Sequence, residues 1–309
     1  MRRTMRIDVH AHYIPATLPE IAGRRGGFGP AANMRDSMSD LDQRLADMDE
    51  RGIDIELVSA PPYVQNSSPD VCRQMNDATA AAIAGSKRFI GLATLPMQEP
   101  DTAAAELERC VRDLGFRGLE ILTNVQGENL HSPRFAPLYR KMQELDAAAF
   151  VHPQNVLGAD RLGQFFMNNI IGNPSDTAVA AGCLIFGGVL HEMPDLRFVL
   201  AHGGGTCPLL RGRWEHAWRQ HLVVDSVITR PPSEYFRKLY FDTLTHSTPV
   251  LNYLVETVGH ERLMLGSDYP FGMGDYTPPV SVQAVPRLTD AQREAIYSEN
   301  AIRVFGLDL

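Results

Sequence analysis

Lysine is nearly absent from this chain: Lys87, Lys141 and Lys238 are the only ones. No basic tract exists, and the formal net charge is −8. Both facts argue against nucleic acid or an anionic membrane surface as partner. Cysteine is sparse too. Cys72, Cys110, Cys183 and Cys207 show no C-x-x-C spacing, so neither a disulfide framework nor a redox pair is indicated, and reduced thiols in a cytoplasmic protein are expected. No uninterrupted apolar stretch is long enough to span a bilayer. The basic start of the chain runs directly into Asp8 and His10 without an apolar signal region, which again predicts a soluble, cytoplasmic protein. No G-x-G-x-x-G follows the first strand, so a dinucleotide-binding open sheet has no support. Internal repeats and low-complexity tracts are also missing.

What is present is an alternation of strands and helices. Short apolar or β-branched runs fall at Met5 to His10, Ile53 to Ser59, Phe89 to Leu95, Gly118 to Leu122, Ala149 to His152, Arg197 to His202, Leu239 to Thr243 and Leu263 to Ser267. Runs that are apolar through most of their length suit buried parallel strands. Helical patterns lie between them. Ser68-Pro69, Ser132-Pro133 and Asn173-Pro174 each offer an N-cap followed by proline, and Thr289 with Gln292 makes a capping-box pattern. Eight such units predict a (β/α)8 TIM barrel. The chain's 309 residues accommodate one such domain over 1–309, since a barrel takes about 250 residues. Two Gly/Pro-rich segments, Pro15 to Ser37 and Gly272 to Pro286, follow predicted strands and are expected on the C-terminal rim, where barrels keep their chemistry.

The candidate chemistry sits at strand ends. His10 and His12 are two apart on a strand, so their side chains point the same way, and two neutral imidazoles make half of a metal site. His152 closes the fifth strand, His202 the sixth, and Asp268 the eighth in Gly266-Ser267-Asp268-Tyr269-Pro270. In a barrel these ends converge on one mouth.

With the strand-end signature H-x-H, H, H, D laid out, the sequence resembles the amidohydrolase superfamily, in the amidohydrolase 2 type. It looks most like the aminocarboxymuconate-semialdehyde decarboxylase branch. The segments that carry this are Ile7 to His12, Val151-His152-Pro153, His202-Gly203-Gly204-Gly205 running on to Arg211-Gly212-Arg213, Arg230 to Tyr235, and Gly266 to Phe271. The resemblance implies that His10, His12, His152 and Asp268 bind a metal and that His202 is the acid/base. It implies that Arg213 binds the substrate carboxylate, often across a dimer interface. Arg35 in the first loop matches a second carboxylate-binding arginine. Where the branch carries tryptophans after its third metal histidine, this chain has Gln154, Phe165 and Phe166, which makes Phe166 a candidate substrate contact and leaves the substrate itself open. Binuclear relatives use a carboxylated lysine on the fourth strand. Glu120 and Asn124 occupy that region here, so a mononuclear site is expected. Three imidazoles and a carboxylate suit Zn2+, with Mn2+ as the alternative.

The resulting expectation is a zinc-dependent decarboxylase of a small unsaturated or aromatic carboxylic acid. A metal-activated water, its pKa brought towards about 7, would work with His202 and Asp268 to move protons. A hydrolase or hydratase acting on a C–C, ester or amide bond could use the same site. A homodimer or higher homo-oligomer is implied, with Trp214 and Trp218, four apart on a helix, as an interface stripe. His131, His191, His216, His221 and His260 read as surface or helix-end residues, and His246 as a possible pocket lining. Cys207 reads as a small buried thiol, and Asp242 as a rim group that pairs with a cation or hydrogen-bonds.

Overall fold

A computed structural model of the chain describes residues 4–22 and 34–309. Eight strands carry the architecture: β1 Ile7–His12, β2 Ile55–Ser59, β3 Phe89–Gly91, β4 Gly118–Leu122, β5 Ala148–His152, β6 Phe198–Leu200, β7 Tyr240–Asp242 and β8 Leu263–Met264. Each is followed by a main helix: α1 Leu41–Arg51, α2 Pro69–Ile83, α3 Pro100–Arg112, α4 Ala136–Glu144, α5 Asn173–Phe186, α6 Cys207–Arg219 and α7 Thr248–Val258. The last, α8, runs through Asp290–Glu294, a π-helical turn Ala295–Glu299, and Asn300–Phe305.

All ladders between these strands are parallel, β1-β2-β3 in one run and β4 to β8 in the other. Two bridges close the cylinder: Ala93 with Leu119 joins β3 to β4, and Ala11 with Tyr269 joins β1 to the segment after β8. Val9 N also donates to Leu265 O at 2.9 Å. The fold is the (β/α)8 barrel that the alternation implied. Several strands are shorter than their apolar runs. Past β3 and β8 the backbone pairs through single bonds, such as Ala93 N to Gly118 O at 2.9 Å, instead of a continued ladder.

Residues of β1, β2, β4 and β5 are buried throughout, because helices cover the outside and side chains fill the inside. Val9, Leu57, Phe150, Val199 and Met264 form the inner core, closed by Val304, Phe305 and Leu307 of the C-terminal segment. Val58, Ile121, Val151, Leu200 and Phe241 face outward onto Leu107, Leu138, Leu184 and Leu254 of the helices. Each fully buried Leu, Ile or Phe adds about 1.5–3 kcal/mol to that packing.

Local signals set where helices begin and end. Asp40 caps α1, accepting from Asp42 N and Gln43 N at 2.9 and 3.0 Å, and Gly52 ends it in the left-handed region at φ 69°. Thr289 and Gln292 form the expected capping box, and Ser132 accepts from Arg134 N. Ser68 precedes α2 without a side-chain capping bond. Asn173 is not an N-cap: a π-helical turn, Asn168–Gly172, runs directly into α5, and Asn173 has helical dihedrals. Among the described residues, no helix is long and apolar enough to cross a membrane.

Candidate metal centre

The strand ends bring the candidate histidines together. Alternation along β1 would send His10 to the outer face, because Val9 lies in the inner core and successive side chains alternate. The register of β1 against β2 shifts between Asp8 and Ala11, and past that irregularity His10 and His12 both face the mouth. Their rings lie 5.2 Å apart and nearly perpendicular. The His152 ring stands 5.2 Å from each of them and 5.0 Å from His202. His202 and Asp268 adopt left-handed backbone conformations, with φ of 56° and 60°. This conformation is uncommon outside glycine and is frequent at functional sites.

The ring nitrogens are oriented by what holds their far side. His10 Nδ1 donates to Asp242 Oδ2 at 2.7 Å, and His152 Nδ1 donates to the Pro153 carbonyl at 2.9 Å. His12 Nδ1 faces Ser59 Oγ at 3.4 Å and Glu120 Oε2 at 3.7 Å. Each arrangement leaves Nε2 turned inward. Nε2 of His10, His12 and His152, together with Asp268 Oδ1, are buried without a hydrogen-bond partner. Each such orphan costs about 1–3 kcal/mol unless something satisfies it.

A cation fits that demand. Asp268 Oδ1 lies 3.3 Å from His10 Nε2 and 3.1 Å from His12 Nε2. Two ligand atoms each about 2.1 Å from one ion are about 3.0–3.4 Å apart. Ligating atoms of His10, His152, His202 and Asp268 also lie within 4.8 Å of one another.

Electrostatics agree. Burial would raise the Asp268 carboxyl, but the neighbouring histidines, His10 foremost, hold it well below the usual carboxylate range. Burial pulls His12 down to about 4 and His152 well below its ordinary value, which favours the neutral imidazole, the form that can bind a metal. Burial also acts to lower His10, yet Asp268 and Asp242 outweigh it and push the ring up to about 10. Positive charge is therefore favoured at this spot. Behind His12, burial pushes Glu120 up to about 8.

A family model described as amidohydrolase matches residues 7–307. The chain belongs to the amidohydrolase family. It is 32% identical to the 2-amino-3-carboxymuconate-6-semialdehyde decarboxylase of Dictyostelium discoideum, over 99% of this chain and 93% of that one. It is 30% identical to the gamma-resorcylate decarboxylase of Rhodococcus jostii, over 98% and 99% of the two chains. Among solved structures, a dihydroxybenzoic acid decarboxylase from Polaromonas sp. JS666, with bound manganese and the inhibitor 2-nitroresorcinol, superposes with a TM-score of 0.86 at 26% identity, covering 99% of this chain and 98% of that chain. Bound manganese there and the His/Asp cluster here both support a divalent metal in this amidohydrolase.

Beside the cluster opens a cavity of about 450 Å³ whose wall includes His202, Asn173, Leu209, His246, Tyr253 and Met273. His246 thus lines the pocket. Arg213 is exposed on α6, one turn beyond Leu209, and does not line the cavity within one chain. Phe166 is exposed, ahead of the turn whose Asn169 and Ile170 do line it. The side chain of Arg35 lies outside the described residues, as does much of the first rim segment. Cys207 is buried, and Trp214 packs on Phe186 and Phe236. Gly203, Gly204 and Gly205 all have positive φ. A Cβ on Gly205 would stand 2.2 Å from the Pro174 carbonyl oxygen, so the glycines serve a tight turn.

For three supporting residues the sequence did not show which partner they hold. Asp242 accepts from His10 and from the backbone N–H groups of His202, Gly203 and Leu244. Ser59 and Glu120 pair at 2.5 Å behind His12. Their one signal was position: each sits at or near the end of a strand whose neighbours carry the histidines.

Proposed function

We propose that this enzyme, a carboxy-lyase like its relatives, releases carbon dioxide from a small unsaturated or aromatic carboxylic acid. On this reading His10, His12, His152 and Asp268 hold one divalent ion, zinc in the first instance and manganese as the alternative. The observation that carries it is the convergence of four unpartnered ligating atoms at one end of the barrel. When bound, such an ion supplies a Lewis acid that draws negative charge onto the substrate's oxygens.

The chain's own residues supply the rest. His202 stands on the cavity wall with its side chain 16% exposed, whereas those of His10 and His12 are fully buried. Its Nε2 lies 3.6 Å from Asp268 Oδ2. His202 is therefore the histidine that can both meet substrate and exchange a proton with a carboxylate. The C–C bond to the carboxyl group breaks, its electron pair stays on the ring or alkene carbon, and that carbon takes a proton from His202. Asp242 holds the His202 backbone amide at 3.0 Å and so fixes the acid's approach. Arg213, exposed on α6, would reach a substrate carboxylate only from a second copy of the chain, which favours a homodimer. Arg35 would add a second guanidinium, and Phe166 a ring face against the substrate. The free thiols suit a reducing cytoplasm.

Incubation with a panel of hydroxybenzoates and carboxymuconate-type acids, following both carbon dioxide and product mass, tests this reading. Carbon dioxide equal to substrate consumed, lost with chelator and restored by zinc or manganese, is the expected result. A product that keeps its carboxyl carbon and gains water would make the enzyme a hydratase or hydrolase instead.

A further inference from the structure

A charged layer is buried between β1, β2 and α1, on the side away from the cavity, and the chemistry above does not use it. Glu56 of β2 and Asp8 of β1 meet Arg44 and Arg51 there. All four side chains are buried or nearly so. Arg44 donates Nε to Glu56 Oε2 at 2.6 Å and Nη1 to the carbonyl of His12 at 2.8 Å. Arg51 Nη2 pairs with Glu56 Oε1 at 2.5 Å, and its Nη1 lies 3.8 Å from Asp8 Oδ2.

Both guanidinium groups also lie against the ring of Tyr269, at 4.7 Å for Arg44 and 4.0 Å for Arg51. Tyr269 follows Asp268 in the chain, and its carbonyl accepts from His12 N at 2.7 Å. The backbone of His12 is therefore held on two sides: its N–H by Tyr269 and its C=O by Arg44. The same arginine touches the residue that carries Asp268 into place.

Buried ion pairs add little net stability over apolar packing of equal volume, because desolvation offsets the attraction. A fully buried arginine that bridges a carboxylate, a ligand-strand carbonyl and an aromatic face is better explained by geometry, since its planar fork fixes several partners at once. We propose that Arg44 is a positioning residue of the metal centre, setting the spacing of His12 Nε2 and Asp268 Oδ1 through the His12 carbonyl and the Tyr269 ring. This inference rests on the metal-binding reading above.

The test uses full-length protein and cobalt(II) as a visible probe. The double substitution Arg44→Met with Glu56→Gln removes one charge of each sign and leaves Arg51 to Asp8. Tyr269→Leu removes the ring and keeps Arg44. Cobalt affinity by chelator competition and the cobalt d–d absorption are read below the thermal midpoint of each metal-free variant, so that a loss of affinity is not a loss of fold. Both variants are expected to bind cobalt at least about tenfold more weakly, as changes behind first ligands do, with a shifted absorption band. Wild-type affinity and an unaltered band in a folded variant would overturn the role of Arg44. If the double variant does not fold, Tyr269→Leu decides the matter. Wild-type protein that takes up no cobalt would overturn the metal centre itself, a separate failure.

Discussion

His10 Nδ1 and Asp242 Oδ2 lie 2.7 Å apart, joining positions separated by 232 residues in the chain. A carboxylate can only accept, so it fixes the proton on Nδ1 and, on the metal-binding reading, leaves the Nε2 lone pair for the ion. Asp242→Asn can turn its amide N–H groups toward Nδ1, which would place the ring proton on Nε2 instead. The variant should keep its far-UV circular dichroism and bind metal about 10–100-fold more weakly. Unchanged metal affinity by competition titration would show that the carboxylate does not set the tautomer.

His202 and His10 should separate in their effects. His202→Ala should retain stoichiometric metal by elemental analysis while turnover falls by about 10²–10⁴-fold, the range for a lost general acid. His10→Ala should lose both metal and turnover. Near wild-type turnover in His202→Ala would remove it from the mechanism.

Gly205→Ala should destabilise the fold. Its Cβ would stand 2.2 Å from the Pro174 carbonyl oxygen, at a residue with φ 58°. Both the clash and the left-handed backbone disfavour any side chain. A loss of about 1–3 kcal/mol is expected, read as a lowered thermal midpoint. Gly212, where a Cβ would meet nothing within 4 Å, is the control.

Thiol reactivity should follow burial. Burial pushes Cys72 up to about 12 and raises Cys110 and Cys207 further, so none forms a useful fraction of thiolate at pH 8. Cys183, only partly buried, should be the first to react with Ellman's reagent in native protein. The other three should follow only on unfolding. Rapid modification of Cys207 in the native state would contradict its packed environment.

The barrel and the five strand-end residues were legible in the sequence, because apolar runs give the strands and a polar residue ending such a run stands out. What supports them was not. Asp242 ends a strand as visibly as His152 does, but nothing local says that its partner is His10. The irregularity in β1 that turns His10 inward has no mark in Ile7 to His12. Arg44 reads as an ordinary charge on an amphipathic helix until Glu56 and the His12 carbonyl are seen to surround it. These depend on pairings between distant segments, and periodicity within one segment carries no information about them. Arg213 and Phe166 show the converse: they are conspicuous in the sequence, yet within one chain both stand on the exposed rim.

The seam of the barrel, where Val9 and His12 bond to Leu265 and Tyr269, joins β1 to a segment made much later in synthesis. During synthesis His10 and His12 emerge first and must wait for Asp268 to leave the ribosome. On the metal-binding reading, the nascent chain is therefore without its ion trap until Asp268 has been made and the segment after β8 has closed against β1.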